Sequence, residues 1–197
     1  MAKLALFFSI SFVLSLVLTE SAKRLAKRVG LVAHPREDRW HRASVPFLGG
    51  VGICLSFLIP FLLVPGRSRA LWILALVSLL GFALGLLDDL RSLKPQTKLI
   101  GQILLASILI YLDFLLRLTP YPFLNIVLTL IWIVGITNAL NLLDNMDGLC
   151  AGVAVIAAGF RLVFFLMDQN LQGAMASAIF MGSVLGFLFH NFHPASI

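Results

Sequence analysis

Two adjacent carboxylates, Asp88 and Asp89, close an apolar run that begins at Leu71. If that run is a helix, its C-terminus carries partial negative charge, and two carboxylates there repel both it and each other. A compensating cation, or work as a proton acceptor, gives such a pair a reason to exist. A second cluster lies further on. Asn138, Asn141, Asp144 and Asp147 recur every three residues in the stretch Asn138-Ala139-Leu140-Asn141-Leu142-Leu143-Asp144-Asn145-Met146-Asp147-Gly148. Successive members are helix neighbours, but the row drifts by about 60° per step. All four can face one point only if the helix breaks, and Asn145 and Gly148 permit a break. Oxygen-only ligands of this kind suit magnesium, which takes few carboxylates and completes its shell with water and substrate phosphates. The plainer alternative is an N-cap, with Asp144 or Asp147 capping the next helix. That would explain one aspartate and leave the asparagines without a reason.

A third stretch, His34 to Gly50, mixes basic residues, histidine and glycine and includes His41 and Arg42. Its arginines can hold phosphate, and Gly49, Gly50 and Gly52 allow close backbone approach. A positively charged loop followed by a helix with a small-residue packing face accounts for the same residues. Asp113 and Arg117 are four apart and are expected to pair. Arg161 is expected to snorkel or to pair within a bundle. His190 and His193 are too few to make a metal site and read as interfacial histidines. No GxxxxGK phosphate loop and no nucleophile–histidine–acid arrangement is present.

The elements that must position these residues are membrane helices. Mean hydropathy is +1.00, 60% of residues are hydrophobic and 12% are charged. Soluble domains carry about 25% charged residues. Cys54 and Cys150 fall in or beside apolar segments and read as packing residues rather than a disulfide framework. The net charge of +6 gathers next to apolar segments, which suits membrane orientation and anionic lipid better than nucleic acid.

The fold class expected is an all-α polytopic membrane bundle of about seven spans, taken as a single transmembrane domain over 1–197. The spans are Leu4–Thr19, Val45–Val64, Ala70–Leu87, Leu99–Leu118, Phe123–Leu140, Ala151–Met167 and Ala174–Phe189. The first reads as an uncleaved helix, because Lys23-Arg24-Leu25-Ala26-Lys27-Arg28 resembles a stop-transfer flank. Ten basic residues lie on one side: Lys23, Arg24, Lys27, Arg28, Arg36, Arg39, Arg42, Arg91, Lys94 and Lys98. Four lie on the other: Lys3, Arg67, Arg69 and Arg117. The larger group is expected to be cytoplasmic, with the N-terminus outside. Segments 20–45, 88–98, 141–150 and 190–197 then share the cytoplasmic face, and every acidic cluster lies in them.

Together these segments resemble the polyprenyl-phosphate N-acetylhexosamine-1-phosphate transferase family (glycosyltransferase family 4), which initiates O-antigen and teichoic-acid synthesis and includes MraY. The matching pieces run in the family's order: His41 through Pro46 to Gly50, Asp88-Asp89, Lys94 with Thr97 to Gln102, Asn138 to Gly148, and Asn191-Phe192-His193-Pro194-Ala195. Asn145 stands where the family usually has glycine. Val45 to Gly50 and Asn191 to Ala195 look more like the O-antigen and teichoic-acid initiators than MraY.

The resemblance implies transfer of a sugar-1-phosphate, GlcNAc-1-phosphate by preference, from a UDP-sugar to a polyprenyl phosphate, with release of UMP. It implies a multi-pass protein of a bacterial inner membrane working in cell-envelope polysaccharide synthesis. Magnesium, or manganese in its place, would sit on the donor pyrophosphate with Asn141 and Asp144 as ligands. Asp88, with Asp89 beside it, would help deprotonate the lipid phosphate. Asp147, Lys98, Arg42 and His41 would bind substrate. Partners would be membrane lipid, polyprenyl phosphate and UDP-sugar, with a second copy of the chain in a homodimer and no nucleic acid. Family members have ten or eleven helices and a later metal-binding aspartate. Residues 1–197 are therefore expected to be an N-terminal part of such a domain, inactive alone.

Two rivals come from the residues. Asp144-Asn145-Met146-Asp147-Gly148-Leu149-Cys150-Ala151 matches the start of the CDP-alcohol phosphatidyltransferase motif, although Gly152 stands where an arginine should follow. A non-catalytic membrane scaffold or transport subunit predicts no exchange of UMP with UDP-sugar.

Overall fold

The computed structural model describes residues 2–30, 32–33, 45–46 and 48–197. Seven α-helices follow one another: α1 (Ala2–Val29), α2 (Gly49–Leu63), α3 (Arg69–Arg91), α4 (Pro95–Tyr111), α5 (Pro122–Leu143), α6 (Leu149–Met167) and α7 (Leu171–Asn191). Apart from a two-residue antiparallel pairing of β1 (Val32–Ala33) with β2 (Val45–Pro46), the described residues form a polytopic helical membrane protein. Five helices, α1, α3, α5, α6 and α7, are long and apolar enough to cross a membrane. The segments expected as spans two and four are shorter helices of 15 and 17 residues, about 23 and 26 Å at 1.5 Å per residue.

The shortening of α4 has a visible cause. The expected span ran to Leu118, but the helix stops at Tyr111 and Asp113 turns the chain with a φ of 69°. The segment beyond is apolar yet non-helical, and α5 supplies its missing hydrogen bonds. Leu116 N–H donates to Thr129 Oγ1 at 3.0 Å. Thr119 N–H donates to Asn125 Oδ1 at 2.9 Å, and Asn125 Nδ2 donates back to Thr119 O at 2.8 Å. Irregular backbone near hydrocarbon persists only when its polar groups are satisfied in this way. Arg117 and Asp113 pair at 2.8 Å, as their spacing suggests.

The helices fall into two compact units. The first joins 1–68 to 143–197, so it contains α1, α2, α6 and α7. Its interior is a seam of small residues. On α1, Leu4, Phe7, Ser11, Ser15, Thr19, Ala22 and Ala26 are buried, three or four apart along one face. Gly182 and Gly186 of α7 press on that face. A Cβ on Gly182 would lie 2.5 Å from Phe8 O, and one on Gly186 would lie 2.6 Å from Phe12 O. Small residues let helix backbones approach where lipid gives no hydrophobic drive for association. Serines then bond across the seam. Ser15 Oγ donates to Ser183 O at 2.6 Å, and Ser11 Oγ lies 2.7 Å from Ile179 O and 2.9 Å from Ser56 O.

The second unit is 69–142, with α3, α4 and nearly all of α5. Gly101 lets α4 meet α3 closely, since a Cβ there would fall 2.7 Å from Leu84 Cδ2.

Candidate functional site

In the second unit, three helix ends bring polar residues to one cavity. Asp88 and Asp89 lie near the end of α3, Lys98 in the first turn of α4, and Asn141 near the end of α5. All four line a cavity of about 430 Å³. Its remaining wall is mainly apolar and includes Leu74, Val77, Leu84, Leu105, Leu109 and Ile133. The result is a polar mouth on a greasy pocket.

The cation that meets Asp88 is Lys98, further along the chain than Arg91 and Lys94. Lys98 Nζ sits 2.7 Å from Asp88 Oδ2, with both side chains largely buried. Asp88 Oδ1 accepts from Leu93 N–H at 3.1 Å. The chain reverses between α3 and α4 through Ser92, whose φ of 47° is left-handed, and Pro95 opens α4 with its fixed φ. That short turn brings Lys98 back over Asp88.

A neighbouring polar pair was not singled out by the spacing argument. Gln102, one turn along α4 from Lys98, is buried. Its Oε1 accepts from Asn138 Nδ2 at 2.7 Å, and its Nε2 lies 3.4 Å from Asn138 Oδ1. The available signal was the i, i+4 relation of Gln102 to Lys98 within an apolar helix.

The row of four oxygen residues divides as the break argument requires. Asn138 and Asn141 stay on α5, which ends at Leu143, while Asp144 and Asp147 lie in the turn before α6. Gly148 takes a left-handed φ of 68° and precedes α6 with no side-chain cap. The N-cap alternative for either aspartate is therefore not what the chain adopts.

This turn is tied to the chain's closing segment in the first unit. Asp147 Oδ2 accepts from Ala195 N–H at 3.0 Å and lies 2.9 Å from His193 Nδ1. Gly148 N–H donates to Asn191 Oδ1 at 3.1 Å. Gly148 is also hemmed in, since a Cβ would meet Leu188 at 3.2 Å and Phe192 at 3.4 Å. Asp147 is nearly buried, whereas His193 is 81% exposed. His190 of the same segment reaches Leu16 O at 3.2 Å and lies 4.0 Å from Glu20. Forty-three residues of sequence separate Gly148 from Asn191, so only the fold reveals that these motifs are one structure.

His41 and Arg42 lie outside the described residues. The glycines that follow have packing reasons. A Cβ on Gly49 would lie 2.6 Å from Phe187 Cε2, and one on Gly52 would lie 2.5 Å from Thr19 Oγ1. Arg161 lies over the Phe165 ring at 5.8 Å.

Among the described residues, no three of His, Cys, Asp or Glu converge as a metal site. The donor chemistry offered by Asn141 and Asp144 is oxygen only. It fits a magnesium ion that draws most of its shell from water and substrate phosphate, and does not fit zinc, which prefers nitrogen and sulfur.

Fold and site thus define a class: a polytopic membrane protein with carboxylates, carboxamides and a lysine at its helix ends, suited to phosphate chemistry beside lipid. The chain belongs to glycosyl transferase family 4, whose model matches residues 71–197. The CDP-alcohol alternative gives way to that family. Across all of this chain and 58% of the relative, it is 32% identical to a Bacillus subtilis protein named "Probable undecaprenyl-phosphate N-acetylglucosaminyl 1-phosphate transferase". It is 32% identical, over 88% of this chain and 50% of the relative, to decaprenyl-phosphate N-acetylglucosaminephosphotransferase of Mycobacterium leprae. The phospho-N-acetylmuramoyl-pentapeptide-transferase of Lactiplantibacillus plantarum is 31% identical over 87% of this chain and 61% of its own length. The chain spans about half to three fifths of these curated relatives.

Proposed function

We propose that the whole protein transfers a sugar-1-phosphate, GlcNAc-1-phosphate by preference, from a UDP-sugar to a polyprenyl phosphate at the cytoplasmic face of a bacterial inner membrane. The observation that carries this reading is the cavity of the second unit. Its apolar wall suits a lipid chain, and Lys98 beside Asp88 and Asp89 suits the phosphate at the end of that chain. The names of the relatives supply the acceptor and sugar classes.

In the reaction, an oxygen of the lipid phosphate bonds to the sugar-bearing phosphorus of the donor. The bond from that phosphorus to the bridging oxygen breaks, and the bridging oxygen leaves with UMP. An arriving lipid phosphate competes with Asp88 for Lys98. The exchange turns one Asp88 oxygen toward the newcomer as a proton acceptor, with Asp89 beside it, while the Leu93 amide keeps the other oxygen in place. Asn141 and Asp144 would hold magnesium, or manganese, with the donor pyrophosphate. When bound, that ion neutralises charge as the pyrophosphate separates. Asp147, which also anchors the turn that carries Asp144, is a candidate for binding substrate. His41 and Arg42 are candidates for meeting a second phosphate. A homodimer is compatible with this chemistry and is not required by it.

The test is UMP release by purified full-length protein from UDP-GlcNAc, with undecaprenyl phosphate and magnesium present. Release that needs all three and stops on chelation is the expected result. A scaffold or transport subunit would release none.

A further inference from the structure

Gln102 stands between the two halves of the polar mouth. It lies four residues after Lys98 on α4, and its partner Asn138 lies three residues before Asn141 on α5. Gln102 is 7% exposed. Asn138 Nδ2 donates to Gln102 Oε1 at 2.7 Å and to Val134 O at 2.8 Å, so its amide group is fully committed. Gln102 is the buried member and Asn138 the exposed one, so separating them would leave the Gln102 carboxamide without its hydrogen bonds between apolar helices. Lys98, Gln102 and Asn141 line the same cavity, yet Gln102's oxygen is spent on Asn138 rather than offered to a ligand.

We propose that Gln102 is a positioning residue. By clamping Asn138 it sets the separation between Lys98, which takes the acceptor phosphate, and Asn141, which serves the donor. This rests on the transferase reading above. Two reactants must meet in line for phosphoryl transfer, and misplacement of one by about 1 Å can cost about a hundredfold in rate. The clamp fixes the mouth's width without touching either substrate, so its loss should reduce turnover more than binding.

Three variants of the full-length protein test this: Gln102→Met, which keeps the length and removes the polar atoms; Gln102→Glu, which retains an acceptor only; and the reciprocal pair Gln102→Asn with Asn138→Gln. Spin labels at Ile103 on α4 and Ile136 on α5, both partly exposed, report the helix separation without substrate. For Gln102→Met we expect kcat to fall about tenfold to a hundredfold, KM for either substrate to move less than about threefold, and the label distance distribution to broaden. Gln102→Glu should fall between Gln102→Met and wild type. The reciprocal pair should narrow the distribution again and recover most of kcat. Unchanged kcat in Gln102→Met overturns the proposal. So does a fall in kcat with an unchanged distribution, or a reciprocal pair that restores separation and not turnover. If wild-type protein transfers nothing while the distribution still broadens in Gln102→Met, the transferase reading fails and the clamp stands.

Discussion

At the scale of single residues, the acidic groups divide by what holds them. Asp88 is fixed by Lys98 and the Leu93 amide at the mouth of an apolar cavity. Stability alone gives little reason for a carboxylate there. Asp88→Asn and Asp144→Asn are expected to lower transfer by the full-length protein about a hundredfold to a thousandfold, the usual loss for one electrostatic contact in a transition state. Both should still insert and purify, and initial rates of UMP release check this. Asp147 is different, because its near-buried carboxylate accepts the Ala195 amide. Asp147→Ala strands that donor and is expected to cost about 1–3 kcal/mol of stability. His193→Ala removes only an exposed partner and should cost less than about 1 kcal/mol. Thermal unfolding in detergent separates the two. Asp88-Asp89 and the Asn–Asp row stand out in the sequence as candidates because carboxylates beside apolar runs are rare. Lys98 as the partner of Asp88 was not legible, since Arg91 and Lys94 are nearer in sequence and only the turn at Ser92 selects among them.

At the scale of helices, the first unit depends on close approach. Gly182 and Gly186 leave room for the α1 backbone, and Ser11 and Ser15 bond across the contact. A valine at either glycine drives its side chain into a main-chain carbonyl, which cannot swing aside as a side chain can. Gly182→Val or Gly186→Val is expected to cost about 1–3 kcal/mol or more, read as a lower unfolding temperature and faster proteolysis between α6 and α7. Ser15→Ala, which loses one interhelical bond, should cost about 0.6–1.7 kcal/mol. The four-residue spacing of these glycines is visible in the sequence, but a small-xxx-small pattern does not say which helix it meets. Helix ends were harder still. Apolar character continues through Phe114 to Leu118, and hydropathy does not distinguish a helix from extended chain whose amides are satisfied by Asn125 and Thr129.

At the scale of the whole molecule, the outstanding prediction is orientation. From the asymmetry of ten basic residues against four, segments 20–45, 88–98 and 141–150 are predicted to face the cytoplasm. Single cysteines at Arg36, Ser92 and Asn145, in a background lacking Cys54 and Cys150, should resist an impermeant reagent applied to intact cells. They should react once the membrane is opened. Labelling of these sites from outside would reverse the topology and remove the donor's access to the site.

Composition and patterning determined the class of this protein. So many apolar residues with so few charges leave lipid as the solvent, and in lipid the backbone must close its own hydrogen bonds in helices. The same residues placed carboxylates, asparagines and lysine near helix ends, because charge is excluded from the hydrocarbon between them. Tertiary structure decided which of those groups meet. Asp88 with Lys98, Gln102 with Asn138, and Asp147 with His193 and Ala195 are pairings across turns or between helices. Local sequence does not choose among equally polar candidates. The choice comes from helix packing, where glycines at 101, 182 and 186 let neighbouring helices close in where a Cβ would clash, and from the turns at Ser92 and Gly148, which set which polar groups come within reach.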